Sequence, residues 1–295
     1  MKSVFEEYGH LWPQDVVAKV EPLLSRVMVL QFPRDKDQIN KVKPQNVVVV
    51  TDKNLYDGNI QLFEVGFEHC VQSTRDDFAN ELLASSLMAL RPESFMKDPI
   101  PFFFNGFQTS EMATASGRHF KVNFSSSGES STILQELEKF LTKNNEMASL
   151  KDICVQAADE MISNAVFNAP MRPGGTRPNV RLPRNQDVFI PDSKYATLFS
   201  CFSENRVIIG CADPFGSLEK RPFLNHLRSV FAEVSASVRM TGESAGLGLK
   251  FLIENAANVY VLVNPGKQTL IACGFLLEGL KANAGASKHL HFSFR

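Results

Sequence analysis

The sequence lacks the features that mark several large classes of protein. Neither sign of charge is in excess: 31 lysine and arginine residues stand against 32 aspartate and glutamate residues, so the overall charge does not indicate a nucleic acid or an acidic membrane face as a partner. No apolar run approaches the roughly 18 residues that a membrane span requires. The five cysteines are widely spaced and none forms a C-x-x-C pair, which predicts neither a disulfide framework nor a zinc site.

What is present is the composition of an ordinary globular protein, with 44% hydrophobic and 21% charged residues. Two acidic residues among the first seven stand where a signal peptide would have its apolar stretch. We therefore expect a cytoplasmic protein that is neither secreted nor membrane-spanning. At about 150 residues per domain, the length of 295 residues suggests two domains.

The first part of the chain alternates between strand and helix patterns. Residues 27–30 and 47–50 are short β-branched apolar runs, typical of strands buried on both faces, and residues 67–71 form a third candidate strand. Residues 76–90 carry apolar side chains close to helical spacing. This alternation predicts a parallel sheet built from βαβ units over residues 1–91.

The pattern breaks between residues 92 and 117. Prolines interrupt it, and three consecutive phenylalanines, Phe102 to Phe104, would be costly to expose. We interpret residues 92–117 as a partly packed linker that leads to a second domain at residues 118–295. A continuous extension of one domain is the alternative.

Three short segments of the second domain carry polar residues suited to a ligand. In the first, Glu160, Asn164 and Asn168 are each four residues apart on a helix predicted over residues 149–168, so they share one face. The carboxylate could polarise a hydroxyl group or a water molecule, and an amide oxygen could hold Mg²⁺. The alternative is the solvated polar face of an amphipathic helix.

The second segment follows a strand predicted at residues 207–212. Asp213 could accept a hydrogen bond from an exocyclic amine such as that of adenine, and Gly216 would let the backbone approach a flat ring. A plain Asp-Pro-x-Gly turn explains the same residues without a ligand.

In the third segment, Gly242, Gly246 and Gly248 precede a helix predicted near Leu249. Backbone N–H groups at a helix start can cradle phosphate, and glycine permits its close approach. The spacing matches neither a P-loop nor a Rossmann motif. A glycine loop that binds nothing is the alternative.

Taken in order, the three segments resemble the N, G1 and G2 boxes of the gyrase/Hsp90/histidine-kinase/MutL (GHKL) ATPase superfamily. The likeness covers roughly residues 118–277, and within the superfamily the sequence is most similar to the bacterial anti-sigma-factor serine kinases. The second box departs from the usual Asp-x-Gly-x-Gly pattern, because Phe215 stands where the first glycine belongs. The motifs that carry the resemblance are Glu160-x-x-x-Asn164, Asp213-x-x-Gly216 and Gly246-Leu247-Gly248-Leu249.

The resemblance implies a Bergerat fold for the second domain, an α/β sandwich of a mixed sheet with helices on one face. It also implies ATP and Mg²⁺ as ligands, with Glu160 as general base, Asn164 as the Mg²⁺ ligand and Asp213 as acceptor of the adenine amine. Residues 217–241 would form the ATP lid. The remaining nucleotide-binding positions would be Asn168, Gly216, Gly242, Gly246, Leu247 and Gly248.

Residues 1–91 resemble a degenerate response-regulator receiver with a flavodoxin-like parallel sheet. Residues 47–51 resemble its fourth strand, and residues 62–67 resemble the approach to its last strand. The positions expected to hold an acidic pair and a lysine hold neither, since Gln72 and Ser73 stand at the lysine position. We expect no phosphotransfer here and a role in docking or dimerisation. A flavodoxin-like fold without receiver ancestry is the alternative.

Two functional hypotheses follow. The first is a cytoplasmic signalling regulator that binds Mg·ATP and either phosphorylates a serine or threonine of a partner, such as an anti-anti-sigma or sigma-factor-like protein, or hydrolyses ATP. The second is a non-catalytic module that binds nucleotide, or none, and docks a signalling partner. Neither nucleic acid nor membrane is an expected partner, and a homodimer is left open.

Two further features are assigned no catalytic role. Residues 170–191 form a proline-rich loop with four arginines, interpreted as a solubilising surface loop or as a site for an acidic partner. The histidines, including His289 and His291, have no metal-ligating residues near them in sequence and are interpreted as structural.

Overall fold

The computed structural model describes residues 1–52, 56–104, 118–143, 147–172, 174–191, 193–203, 205–235, 247–277 and 288–295. Strands from this part of the chain form one nine-stranded mixed sheet. The strands are β1 (Met28–Phe32), β2 (Val47–Thr51), β3 (His69–Gln72), β4 (His119–Phe124), β5 (Ala196–Ser203), β6 (Arg206–Asp213), β7 (Asn258–Asn264), β8 (Gln268–Leu276) and β9 (His289–Phe294). Their order across the sheet is β1-β2-β3-β9-β7-β8-β6-β5-β4.

Helices pack against both faces of this sheet. None of those in the described ranges combines the length and the apolarity needed to cross a membrane. The α-helices are α1 (Val4–Tyr8), α2 (Gln14–Leu24), α3 (Tyr56–Glu64), α4 (Phe78–Leu90), α5 (Pro92–Lys97), α6 (Ile100–Phe103), α7 (Ser130–Thr142), α8 (Lys151–Ser163), α9 (Lys220–Ser235) and α10 (Leu247–Asn255).

The first three strands confirm the parallel sheet predicted for the first part of the chain. β1 pairs in parallel with β2, and β2 with β3. Each residue of β2 is buried, which explains why its sequence is a continuous valine run with no polar alternation. α4 confirms the helix predicted at residues 76–90.

Strand β9 was not predicted, and it joins the two parts of the chain. It pairs antiparallel with β3 through His69 and Cys70, and in parallel with β7 along six residue pairs. The remaining neighbours, from β7 to β4, are antiparallel. One sheet therefore runs without interruption through residues of both predicted domains.

The two faces of the sheet have separate apolar cores. Helices α7, α8, α9 and α10 lie on one face, as the resemblance implies for the second domain, and α3 shares that face. The opposite face is covered by α1, α2, α4, α5 and α6.

Residues 92–104, predicted as the start of a linker, form α5 and α6 and pack on the second face. The ring of Phe103 meets that of Tyr260 on β7 edge-on at 5.2 Å, and Phe95 contacts both Phe102 and Phe103. Burial of these rings is what the three consecutive phenylalanines indicated. The rest of the predicted linker, residues 105–117, lies outside the described part of the chain.

A buried polar cluster joins α4 to three strands. The carboxylate of Glu81, on α4, forms an ion pair with Arg206 of β6. It accepts hydrogen bonds from the Tyr260 hydroxyl at 2.8 and 2.9 Å and from Nδ2 of Asn258 at 3.0 Å, both on β7. Nε2 of His291, on β9, lies 2.8 Å from Oε1 of the same carboxylate.

A second carboxylate extends this cluster at the start of α4. Asp77 forms an ion pair with Arg75 at 2.9 Å, and its Oδ1 lies 3.0 Å from Nε2 of His289. Nδ1 of His69 lies 3.2 Å from Nδ1 of His291. We call the following residues the junction cluster: His69, Arg75, Asp77, Glu81, Arg206, Asn258, Tyr260, His289 and His291.

The electrostatics of the junction cluster are those of a structural network. Burial alone would raise the pKa of Glu81. Arg206 and His291 lower it by more than burial raises it, so the net pKa lies below the ordinary value of 4.5. Burial lowers the pKa of His69 and of His291, so both rings are neutral at pH 7. Glu81 therefore stabilises the fold while it is ionised, and this contribution is lost as the pH falls through the acid range.

Removing Glu81 should cost much of the stability of the protein. Glu81→Ala leaves the buried Arg206 guanidinium with too little negative charge, and we expect the free energy of unfolding to fall by about 3–5 kcal/mol in urea titrations. Glu93→Ala, an exposed glutamate on the adjacent α5, is the control and should change it by less than about 0.5 kcal/mol. Equal effects of the two variants would contradict the structural role of the cluster.

Candidate functional site

The first predicted segment forms a continuous polar row. Helix α8 ends at Ser163 and continues as one π-helical turn, Asn164–Asn168. Nδ2 of Asn164 donates to Oε1 of Glu160 at 2.8 Å, and Nδ2 of Asn168 donates to Oδ1 of Asn164. The three side chains predicted to share a face are therefore linked. Single π-helical turns occur frequently at functional sites.

Glu160 is a partly buried carboxylate. Burial raises its pKa above the ordinary value of 4.5, and Asp159 adds to that rise. The hydrogen bond from Asn164 and the positive charge of Arg184 offset part of it. Because its pKa is raised, this carboxylate accepts a proton more readily than an exposed glutamate does.

The third predicted segment meets the first one at this carboxylate. Gly248, in the first turn of α10, packs so closely on Glu160 that a β-carbon there would overlap its carboxyl group. Leu247 begins α10. Gly242 and Gly246 lie outside the described residues.

The second predicted segment supplies a buried acid at the end of β6. Burial raises the pKa of Asp213 to about 6, although hydrogen bonds from the Phe215 amide and from Thr269 partly oppose the rise. The Phe215 amide donates to Oδ1 of Asp213 at 2.9 Å. Asp213 pairs with Thr269 across strands β6 and β8, which places the hydroxyl of Thr269 beside the carboxylate.

The backbone conformation and the close packing at Gly216 require glycine. Its φ is +60°, and a β-carbon there would overlap the backbone of the β7–β8 turn at Asn264, Gly266 and Lys267. Its backbone carbonyl also accepts a hydrogen bond from the Gly266 amide. The glycine thus anchors the loop after Asp213 to a neighbouring turn.

A cavity of about 220 Å³ brings these groups together. Asn164 and Asn168 lie on one wall, and Asp213 and Thr269 lie on another. Most of the remaining wall is apolar. The apolar lining residues are Met161, Ala165, Ala169, Val180, Leu218, Leu249, Leu252 and Ile271.

The lining residues that were not predicted as part of the site include two polar ones, Thr269 and Arg177. Thr269 could have been found from the pairing of two predicted strands, had the register been known, because it lies directly across from Asp213. Arg177 is in the proline-rich loop after the helix, and nothing in its local sequence distinguishes it from the other arginines there.

Most of the predicted lid is a packed helix. Helix α9 occupies residues 220–235, and its Phe223 ring meets Phe292 of β9 edge-on at 4.9 Å. Arg228 of α9 forms an ion pair with Glu64 of α3. Residues 236–246 lie outside the described part of the chain.

The described residues contain no group of three or more His, Cys, Asp or Glu side chains that could hold a metal ion. The polar row presents side-chain oxygen atoms of Glu160, Asn164 and Asn168. Mg²⁺ is commonly bound by one or two protein oxygens together with substrate phosphates and water, so the row suits a metal that arrives with a phosphate ligand.

Comparison with known proteins does not assign the chain to a class. No family model matches it, and no curated protein matches it in sequence.

The contact between Gly248 and Glu160 can be tested by stability alone. Gly248→Ala should lower the midpoint of thermal unfolding, although alanine is favoured over glycine in a helix by about 1 kcal/mol, because the new methyl group displaces the carboxylate. In a Glu160→Ala background the same substitution should be neutral or stabilising. Additive effects of the two changes would contradict the contact.

Proposed function

We propose that the chain is a signalling regulator that binds Mg·ATP in a site of the Bergerat type, as the resemblance to the GHKL superfamily implies. The observation that best supports this function is the cavity in which the buried carboxylate of Asp213 lies among apolar side chains. Asn164 and Asn168 border the same cavity, and Glu160 lies against the start of α10.

The cavity has the chemistry of an adenine site. Apolar side chains such as Leu249 and Ile271 offer contact to a flat ring, and Asp213 offers an acceptor to its exocyclic amine. The volume of about 220 Å³ is below the range of most complete ligand sites, so it suits the base rather than the whole nucleotide. The phosphates would then extend toward the N-terminus of α10, where free backbone N–H groups favour anions.

The polar row suits the reactive end of the nucleotide. Asn164 would supply an oxygen ligand to Mg²⁺, which when bound neutralises phosphate charge. The raised pKa of Glu160 suits a general base that takes the proton from a partner's serine or threonine hydroxyl, or from water. This role rests on Glu160 being held in place by Asn164 and Gly248.

In this function the chain acts in the cytoplasm on a protein partner of the anti-anti-sigma or sigma-factor-like kind. The first part of the chain, with its parallel strands β1 to β3, would serve in docking or dimerisation. Because β9 ties these strands to β7, a partner bound there would contact the same rigid sheet that carries the site.

One observation favours the non-catalytic alternative. Phe215, in the place of the usual first glycine, is buried with its ring in the core, and Lys194 Nζ lies 5.1 Å from the centre of that ring. A side chain of this size restricts the loop that follows Asp213. A module that binds nucleotide without turning it over, and docks a signalling partner, is the second candidate function.

Nucleotide binding is the first test. Titration calorimetry of ATP and ADP with Mg²⁺ should show micromolar binding to the wild-type protein and none to Asp213→Ala. Because burial raises the pKa of Asp213, its charge is costly to the fold at neutral pH and the variant should remain folded. The control is Asp152→Ala, which removes an exposed carboxylate. Absence of binding to the wild type at millimolar nucleotide would contradict the proposal.

The pH dependence of ATP binding tests the role of Asp213 as the acceptor of the adenine amine. Asp213, with a pKa of about 6, is ionised above that pH and accepts the amine most strongly there. Affinity should therefore fall as the pH is lowered from about 8 to about 5. Asp213→Asn, which cannot titrate, should show a smaller fall over the same range, because only the phosphates and Glu160 still titrate.

Turnover separates the two candidate functions. Glu160→Gln should leave ATP affinity nearly unchanged and lower the rate of ATP hydrolysis by about 10²–10⁴-fold, the usual contribution of a general base. Asp159→Asn, the exposed neighbour on α8, is the matched control. Wild-type protein that binds ATP and shows no turnover, alone or with its partner, would favour the non-catalytic module.

A further inference from the structure

The proline-rich basic loop, residues 170–191, lies against the candidate site and does not project from it. Asn179 is buried, and its Nδ2 donates to the carbonyl oxygen of Val166, in the π-helical turn, at 2.9 Å. At the end of the loop, the amide of Ile190 donates to the carbonyl oxygen of Ser125 at 2.7 Å. These anchors fix the path of the loop, and with it the positions of its arginines.

Arg184 lies on the polar row of the site. Its Nη1 donates to Oγ of Ser163 at 2.7 Å, and its Nη2 lies 3.4 Å from Oδ1 of Asn168. The guanidinium group stacks on the ring of Phe167, with 4.2 Å between its central carbon and the ring centre. Its positive charge lowers the pKa of Glu160. A flat apolar support of this kind holds a guanidinium in one orientation.

Arg177 lines the cavity and bridges two of its lining residues. Its Nη1 donates to the carbonyl oxygen of Asn168 at 2.8 Å, and its Nη2 donates to that of Ser217 at 3.0 Å. Its charge contributes to lowering the pKa of Asp213. The loop therefore brings one arginine to each of the two acids of the site.

Neither arginine is neutralised by these contacts. Among the described residues, their hydrogen bonds go to neutral oxygen atoms of backbone carbonyls, a hydroxyl and an amide. An arginine carries five N–H donors, so each guanidinium keeps donors as well as its full charge. Both guanidinium groups contact Asn168, which lines the cavity, so an anion bound beside Asn168 would satisfy both.

We propose that Arg184, supported by Arg177, binds the phosphate chain of the nucleotide, so that the basic loop is part of the nucleotide site. This inference rests on the proposed function. It assigns to residues 170–191 a ligand-binding role in place of a solubilising one. Arg184 would bind the end of the ligand near Glu160, and Arg177 would lie closer to the base.

A series of ligands tests the proposal with Arg184→Gln. In calorimetric titrations with Mg²⁺, this variant should bind ATP about 10- to 100-fold more weakly than the wild type, the usual effect of losing a hydrogen-bonded charge. Its affinity for adenosine, which has no phosphate, should be unchanged. Titrations with ADP and AMP identify the phosphate that Arg184 contacts, because Arg184→Gln weakens binding only of ligands that carry that phosphate.

Arg181→Gln is the matched control. Arg181 is exposed on the same loop, so the substitution removes the same charge away from the cavity, and its affinity for every ligand should equal that of the wild type. Arg184→Lys should fall between wild type and Arg184→Gln, because lysine keeps the charge and loses the planar fork. Equal midpoints of thermal unfolding for the two glutamine variants would show that the fold is intact.

The outcomes separate this inference from the proposed function. If Arg184→Gln and Arg181→Gln bind ATP equally well, the loop has another role, such as contact with an acidic partner, and the inference is wrong while ATP binding stands. A loss of adenosine binding equal to that of ATP would also overturn it. If the wild-type protein binds neither adenosine nor ATP, the proposed function fails as well.

Discussion

A carboxylate can be buried only where its charge and its lone pairs are satisfied, and the rest of this fold is arranged around that requirement at Glu81. One side chain on α4 accepts from Tyr260 and Asn258, pairs with Arg206 and faces His291. These partners lie on β6, β7 and β9, so α4 cannot leave its place without breaking polar contacts with three strands. The same helix packs against β2 and β3, and thereby joins the parallel strands of the sheet to the antiparallel ones.

The buried acids of the protein fall into two groups by the direction of their pKa shifts. In the junction cluster the partners of Asp77 and Glu81 outweigh the cost of burial, and both pKa values are lowered. At the candidate site burial prevails, and the pKa values of Glu160 and Asp213 are raised. The first group stabilises the fold at neutral pH. The second destabilises it there, and acids with pKa values raised by burial are frequent at functional sites.

The features that could be predicted are those that depend on residue spacing along the chain. Buried strands, long amphipathic helices and the shared face of Glu160, Asn164 and Asn168 follow from spacing along the chain. Strand β9 was missed because its two histidines read as polar; their burial depends on Asp77 and Glu81, more than 200 residues earlier. Thr269 depends on strand register, and Arg184 on the path of a loop, neither of which periodicity specifies. The covering of the second sheet face by α4, α5 and α6 is likewise a tertiary property.

Strand β9 is the last of the nine strands along the chain and occupies the middle of the sheet. During synthesis, the edges of β3 and β7 are therefore both made before the strand that separates them has been translated. Each is a row of unpaired backbone groups, of the kind on which foreign strands can add. The contact between His69 and His291 also joins residues 222 positions apart, and such non-local contacts form slowly. Until β9 is translated, both edges lack their partner strand, and the nascent chain is then more open to aggregation than the finished protein.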